Sequence, residues 1–104
     1  MTKYGAIRTE IDGHKFASKA EARRYMELKL MQRSGDIAEL ELQPKFPLVV
    51  CGMRVATYIA DFRYLVPLSG AVVVEDVKGV KTPTYRLKAK LVKAIYGIEI
   101  REVA

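Results

Sequence analysis

Hydrophobic and polar positions follow two periods along this chain, one typical of strands and one typical of helices. Alternation of period two appears near the start, where Asp12 and Gly13 separate two short stretches within "AIRTEIDGHKFAS". An Asp-Gly pair between alternating stretches is the strongest short-range hairpin signal. The pattern therefore predicts a small N-terminal hairpin.

Further strand patterns fill the middle and the end of the chain. Pro44 and Pro47 restrict "ELELQPKFPLVV" to an edge strand or an irregular one. The turn "CGM" leads into "RVATYIADFRYLV", which is rich in β-branched and aromatic residues, and a turn over residues 67–70 leads into "AVVVEDVKG", whose three valines predict a buried strand. These segments predict a three-strand meander, and "IEIREV" predicts a last strand.

Two segments carry helix signals. Ser18 and Glu21 have the spacing of a capping box before a run of helix formers, which predicts a helix over residues 19–33 that stops at Gly35. Thr82 as N-cap and Pro83 in the first turn predict a second helix over residues 83–96, stopped by the glycine at position 97. The order hairpin, α, β, β, β, α, β predicts an α/β domain around a mixed sheet.

Length and composition narrow the class of protein. The 104 residues suffice for one small domain, 1–104, and half of them are hydrophobic. Lysine and arginine number 18 against 12 acidic residues, giving a formal charge of +6, which favours a polyanionic partner. Cys51 is the single cysteine and precedes Gly52, so we expect an inert thiol in a hairpin turn. The start lacks the apolar core of a signal peptide and no apolar run reaches the ~20 residues of a membrane span, so we expect a cytoplasmic protein.

Charged residues at the end of the valine-rich strand are the first candidates for chemistry. Strand alternation places Asp76 and Lys78 on one face and Glu75 on the other. Asp61 belongs to the preceding predicted strand, and Glu21 falls within the apolar stripe of the first helix. Carboxylates that converge at one sheet edge suit Mg²⁺ or Mn²⁺, with a lysine available for a phosphate oxygen or a water.

Each of these residues also has an ordinary structural explanation. Asp76 and Lys78 fit a salt bridge at a strand end, and Glu21 fits a capping box that acts only locally. His14 fits an exposed turn residue, and Glu27 a solvated charge. We expect Glu75 to pair with a cation of a packed helix or with Arg101.

The order of these motifs resembles the PD-(D/E)XK nuclease superfamily. The carrying residues are Ser18 and Glu21 at the start of a helix, Asp61 in "YIADF", and "VVVEDVKG", and the layout is similar to small phage endonucleases of the endonuclease I, Holliday-junction resolvase type. The resemblance extends from about Phe16 to Val103 and implies a restriction-endonuclease-like core. The position before Asp61 is an alanine where the superfamily has proline, and it supplies no ligand there.

What the resemblance implies is a metal-dependent endonuclease. The catalytic residues would be Glu21, Asp61, Asp76 and Lys78, and the metal ligands Glu21, Asp61, Asp76 and the carbonyl of Val77. One or two Mg²⁺ or Mn²⁺ ions would activate a water for phosphodiester hydrolysis, and Lys78 would orient that water or neutralise charge on the phosphate. No organic cofactor is implied.

Basic residues of the second helix are candidates for DNA contact. Arg86, Lys90 and Lys93 fall within about 60° of one another on a helical projection, and Lys88 lies off this stripe. Lys81 and Thr82, in the loop before the helix, are further candidates. A phosphate track and a solvated helix face both fit the stripe.

Several functions remain open on these grounds. The leading hypothesis is a phage-type endonuclease, homodimeric by resemblance and selective for Holliday junctions or other branched DNA in recombination or replication. A general nickase or end-processing nuclease is the alternative among enzymes. A non-catalytic nucleic-acid-binding accessory protein is the alternative outside them.

Overall fold

The computed structural model of the chain describes residues 9–104. Its elements are, in chain order, β1 (Thr9–Ile11), β2 (His14–Phe16), α1 (Lys19–Ser34), β3 (Ala38–Leu42), β4 (Lys45–Val50), β5 (Met53–Ile59), β6 (Phe62–Val66), β7 (Ala71–Val77), α2 (Pro83–Tyr96) and β8 (Arg101–Val103). The first residues of the predicted hairpin stretch, 6–8, lie outside the described residues. Neither helix within the described range has the length and apolarity that a membrane span requires.

A four-stranded mixed sheet lies at the centre of the fold, in the order β3-β6-β7-β8. β6 is antiparallel to both β3 and β7, whereas β7 and β8 are parallel. Parallel neighbours need a crossover connection, which α2 supplies between them. The predicted α/β class, with a mixed sheet and two main helices, is confirmed.

Local signals place both helices where the sequence predicts them. The hydroxyl of Ser18 accepts a hydrogen bond from the backbone N–H of Glu21, and α1 ends one residue beyond the predicted bound, before Gly35 in the left-handed conformation. α2 has the predicted bounds, with the Thr82 hydroxyl accepting from the N–H of Tyr85. Capping residues satisfy backbone groups that a helix end would otherwise leave without partners.

Two tight turns have the expected chemistry. Asp12 and Gly13 have φ of 53° and 79°, and the same pattern recurs at Cys51 and Gly52 with 50° and 79°. Two consecutive positive φ values match the twist of a two-residue hairpin loop. The N-terminal hairpin and the position of Cys51 in a hairpin turn are confirmed, and the thiol is exposed. His14 is exposed as predicted but begins β2 rather than lying in the turn.

The predicted three-strand meander is wrong. Residues 54–66 form two strands, because the ladder breaks at Ala60 and Asp61. At this break the N–H of Ala60 donates to the carbonyl of Pro44, and the N–H of Asp61 donates to the carbonyl of Glu75, each at 3.1 Å. The chain therefore changes partners without losing backbone hydrogen bonds: β5 pairs with β4 in a separate two-stranded sheet, and β6 joins the central sheet.

The segment "ELELQPKFPLVV" also differs from the prediction of a single strand. It contains β3 and β4, which belong to different sheets. Gln43 has a positive φ of 52° at the division, and Pro44, which has no N–H, follows it. Pro47 lies in β4, which pairs on one edge with β5, so the prediction that proline marks an edge strand is confirmed.

The central sheet packs a hydrophobic cluster on each face. Ala22, Tyr25 and Leu28 of α1 join Phe62 and Tyr64 of β6 in one cluster. The second cluster lies on the α2 side and contains Phe46, Leu48, Tyr58, Val74, Tyr85 and Val92. Burying one such Leu or Val side chain contributes about 1.5–3 kcal/mol.

The valine run of β7 is only partly buried. Val74 is 1% exposed and faces the second cluster, Val73 is half-buried against the first, and Val72 is 61% exposed. The prediction of three buried valines is therefore wrong at Val72. Alternation along β7 sends Glu75 to the α1 side of the sheet and Asp76 to the α2 side.

Candidate active site

Asp76 is the penultimate residue of β7 and is 3% exposed. Its Oδ2 atom accepts a hydrogen bond from the hydroxyl of Tyr58, and its Oδ1 atom lies 3.6 Å from Nζ of Lys78. The same Nζ atom lies 4.4 Å from the centre of the Tyr85 ring. The prediction that Asp76 and Lys78 share a face is confirmed, and two tyrosines hold this pair in place.

Asp61 lies beside Asp76, on the neighbouring chain segment. The β6–β7 ladder pairs Phe62 with Glu75. Asp61, which directly precedes β6, therefore falls opposite Asp76. The Oδ2 atom of Asp61 accepts a 2.7 Å hydrogen bond from the backbone N–H of Val77. Asp61 therefore lies in the break between β5 and β6, where the N–H of Val77 fixes its carboxylate.

Asp76 perturbs the ionisation of Asp61. Burial, followed by the hydrogen bond and the negative charge of Asp76, raises the pKa of Asp61 to about 8, although the N–H of Val77 opposes this shift. Two neighbouring carboxylates in a partly buried site cannot both ionise without a large electrostatic cost. Near neutral pH, the cation-free pair therefore retains a proton.

Glu21 combines a local and a longer-range environment. Its Oε2 atom accepts a 3.3 Å hydrogen bond from the N–H of Ala17, so the capping interpretation holds in part. Burial raises the pKa of Glu21, the N–H of Ala17 lowers it, and the charges of Asp76 and Lys78 act in opposite directions. Glu21 also lines a cavity of about 70 Å³ with Asp61. The structure thus brings the third predicted acid to the margin of the aspartate pair.

The predicted metal ligands are Glu21, Asp61, Asp76 and the carbonyl of Val77. Within residues 9–104, no three side chains of His, Cys, Asp or Glu are arranged as a ready-made metal site. The donors present are nevertheless hard oxygens, which Mg²⁺ and Mn²⁺ prefer, and a divalent cation would relieve the repulsion between Asp61 and Asp76. The donor chemistry fits, and metal binding stays a prediction.

Glu75 has a different role from its neighbour. It is fully buried, and Arg24 of α1 holds it with two hydrogen bonds, Nε to Oε1 at 2.9 Å and a terminal nitrogen to Oε2 at 2.7 Å. The Tyr64 hydroxyl donates to Oε2 as well. Burial alone would raise the pKa of Glu75, but Arg24 and Tyr64 outweigh it and hold the pKa below its ordinary value. The predicted pairing of Glu75 with a helix cation is confirmed.

The predicted DNA-binding residues form two groups, one in and before the first turn of α2 near Lys78 and one on the exposed face of α2. Thr82 caps α2 and lines a cleft with Lys78. Lys81 lies 2.8 Å from Glu102. Lys90 and Lys93 are exposed and line a cavity that contains none of the predicted catalytic residues. Arg86 is exposed on the same helix, so the stripe is a solvent-facing surface in this structure.

Three residues near the site were missed by sequence reasoning. Tyr58 and Tyr85 contact Asp76 and Lys78, and Lys88 lines the cleft that also contains Lys78. The spacing of Thr84 and Lys88, four residues apart on one helix face, was the available signal for the lysine. No local sequence pattern marks Tyr58, because the interruption between β5 and β6 that follows it depends on backbone partners distant in sequence.

A family model described as "Protein of unknown function (DUF1064)" matches residues 1–102. The chain belongs to the DUF1064 family. No curated protein and no solved structure matches it. The family description names no activity, and the acid pair and the lysines beside it are the features of this DUF1064 protein that point to chemistry.

Proposed function

We propose that this DUF1064 protein is a Mg²⁺- or Mn²⁺-dependent endonuclease that hydrolyses phosphodiester bonds in DNA. The observation that supports this proposal is that Asp61 and Asp76 are adjacent. Among residues 9–104, Lys78 has the one basic side chain within 4.0 Å of either carboxylate. A buried acid pair that must keep a proton at neutral pH costs free energy, which a purely structural site would offset with a second cation.

The chain's own groups orient the carboxylates. The N–H of Val77 holds one oxygen of Asp61, and the Tyr58 hydroxyl holds one oxygen of Asp76. A cation would bind the other oxygen of each carboxylate, where it would replace the proton of the pair and lie beside Lys78, with Glu21 and the Val77 carbonyl as further donors. A bound Mg²⁺ or Mn²⁺ would supply Lewis-acid activation of a water and stabilise charge on the leaving oxygen.

Lys78 is suited to act on the phosphate. Its ammonium is held by Asp76 on one side and by the Tyr85 ring on the other, so its position is restricted. A compact point charge there would neutralise charge that develops on the phosphate or orient the attacking water. The net charge of +6 supports a polyanionic substrate.

The finer parts of the proposal come from the resemblance to small phage endonucleases. They are selectivity for Holliday junctions or other branched DNA, a homodimer that presents two such sites, and a location in the cytoplasm of a phage-infected or prophage-bearing bacterial cell. Shape selectivity fits a set of contacts that offers charge and hydroxyl groups to the DNA backbone.

The test is a cleavage panel. The protein is incubated with supercoiled plasmid, linear duplex, single strand and four-way junction, each with Mg²⁺, Mn²⁺ or EDTA. We expect metal-dependent products, with paired symmetric cuts at the junction. Cuts on plasmid or duplex without junction preference would select a general nuclease. If no metal-dependent product forms while DNA binding is retained, the endonuclease proposal is rejected and the non-catalytic accessory protein is the remaining alternative.

A further inference from the structure

A cleft of about 300 Å³ opens between β5 and the first turns of α2. Its lining is basic and rich in hydroxyl groups, and includes Thr57, Lys78, Thr82, Thr84, Tyr85 and Lys88. Within the described part of the chain, no aspartate or glutamate is among its lining residues. Lys78 and the Tyr85 hydroxyl have acidic partners outside the lining, Asp76 and Glu102. Lys88 and the threonine hydroxyls are therefore the donors available to an anion.

Lys88 is the least compensated charge in this cleft. It is half-buried, and its Nζ atom donates a 3.3 Å hydrogen bond to the carbonyl of Thr57. Among residues 9–104, no carboxylate lies within 4.0 Å of this Nζ atom, whereas Lys81 and Lys93 each have an acidic partner. One carbonyl satisfies one of the three ammonium protons. An anion in the cleft would satisfy the others and balance the charge.

Lys78 joins this cleft to the acid pair. It lines the cleft, and its Nζ atom lies 3.6 Å from Asp76. An anion in the cleft would therefore be the immediate neighbour of a group bound at Asp61 and Asp76. On a nucleic-acid strand, the repeated anionic groups at neighbouring positions are backbone phosphates.

We infer that this cleft is a subsite for the backbone phosphate next to the one at the acid pair, with Lys88 as its principal contact and Thr84 as a hydroxyl donor. The identity of the ligand depends on the proposed function. The subsite would read the backbone and not the bases, since ammonium and hydroxyl groups contact phosphates without sequence information.

The first test uses inorganic phosphate as the probe. Amide chemical shifts of the ¹⁵N-labelled, full-length protein are followed during a phosphate titration at constant ionic strength and pH, without divalent metal. We expect saturable shifts at Thr57, Thr84 and Lys88, lost in Lys88→Gln and retained in Lys88→Arg. The matched control is Lys19→Gln, because Lys19 is an exposed lysine at the start of α1 that belongs neither to the cleft nor to the predicted DNA-contact stripe. Absence of shifts in the wild type, or the same titration in both glutamine variants, would overturn the inference.

The second test uses a fluorescent single-stranded oligonucleotide in EDTA, where no metal-dependent cleavage occurs. Loss of one phosphate contact should lower the slope of log affinity against log salt by about 0.7 for a single strand. We expect this change in Lys88→Gln and none in Lys19→Gln. Equal slopes in the two variants would contradict the subsite.

These tests separate the subsite from the proposed catalytic function. If phosphate binds at Lys88 but no nucleic acid is cut, the endonuclease proposal fails and the subsite stands as an anion site. If DNA is cut with metal but Lys88→Gln binds and cuts like Lys19→Gln, the subsite fails and the endonuclease proposal stands.

Discussion

Glu75 and Asp76 are adjacent acids of one strand, yet the two faces of the sheet surround them with opposite chemistry. On the α1 side, Glu75 has a bidentate guanidinium partner in Arg24 and a hydrogen bond from Tyr64. On the α2 side, Asp76 is almost as deeply buried but lies next to a second acid, Asp61. Glu75 has a bidentate guanidinium partner and, among residues 9–104, no acidic hydrogen-bond partner, whereas Asp76 has Lys78 at 3.6 Å and the Tyr58 hydroxyl as partners but lies next to a second acid.

This difference separates an acid that stabilises the fold from one suited to chemistry. A buried carboxylate with a complete set of partners has no capacity for a further ligand. An acid pair that shares a proton can exchange it for a cation. The comparison therefore assigns Glu75 to the attachment of α1 and Asp76 to the proposed metal site.

The largest expected effect is that of Asp76→Asn on cleavage. Loss of this carboxylate should lower the cleavage rate by about 10²–10³-fold or more, which is the scale for a group that acts on transition-state charge. The free energy of unfolding should change little, because the asparagine amide oxygen can still accept the hydrogen bond from Tyr58 and the lost Lys78 partner lies at 3.6 Å, beyond hydrogen-bond distance. Rates on the preferred substrate and a urea titration measure the two quantities. A variant that cuts like the wild type would remove Asp76 from the site.

Glu75→Gln should show the opposite pattern. Arg24 would lose its buried partner while its side chain stays 16% exposed, so we expect about 3 kcal/mol less free energy of unfolding. Cleavage per folded molecule should be largely retained. The matched control is Glu27→Gln, because exposed Glu27 contacts the same guanidinium at 3.2 Å and such surface pairs contribute about 0–1 kcal/mol. Equal urea midpoints for the two variants would contradict the structural role of Glu75.

The acid pair also predicts how stability depends on pH. Asp61 has its folded-state pKa raised from 3.8 to about 8, so the folded protein binds more protons than the unfolded chain between these values. Without divalent metal, stability should therefore fall as pH rises from about 4 to 8. Thermal unfolding in EDTA at pH 6 and pH 8 measures the slope, which Asp61→Asn should reduce. A slope unchanged by that substitution would show that Asp61 titrates normally.

The smallest expected effect is that of Tyr58→Phe. Its hydroxyl orients Asp76, so removing it should cost about 1 kcal/mol of stability and reduce cleavage less than Asp76→Asn does. Tyr96→Phe is the control, since its hydroxyl donates to the carbonyl of Pro47 on an exposed surface. Cleavage in Tyr58→Phe that matches the control would show that Asp76 needs no such orientation.

Local sequence signals were sufficient to predict the bounds of both helices and the opposite faces of Glu75 and Asp76. Ser18, Thr82 and the glycines that follow each helix act within one turn of the backbone, so the helix bounds follow from the sequence. Strand alternation was likewise enough to separate Glu75 from Asp76. The sequence predicted a cation of a packed helix or Arg101 as the partner of Glu75, and the structure has Arg24 of α1.

Long-range partners decide the rest. The break at Asp61 depends on the carbonyls of Pro44 and Glu75, which lie far away in sequence, so a run of β-branched and aromatic residues gave no sign of it. The contact of Lys88 with Thr57 spans 31 residues and arises from the packing of α2 on β5. Neither contact has a periodicity that a sequence could display.

The most direct measurement of the contrast is calorimetric titration of Mn²⁺ into the metal-free protein, compared among the wild type, Asp76→Asn and Glu75→Gln. It is performed at a temperature where circular dichroism shows all three to be folded. Saturable binding in the wild type and Glu75→Gln, with loss of binding in Asp76→Asn, is the predicted result. Binding that survives in Asp76→Asn, or that is absent from the folded wild type, would contradict the assignment of the acid pair as a metal site.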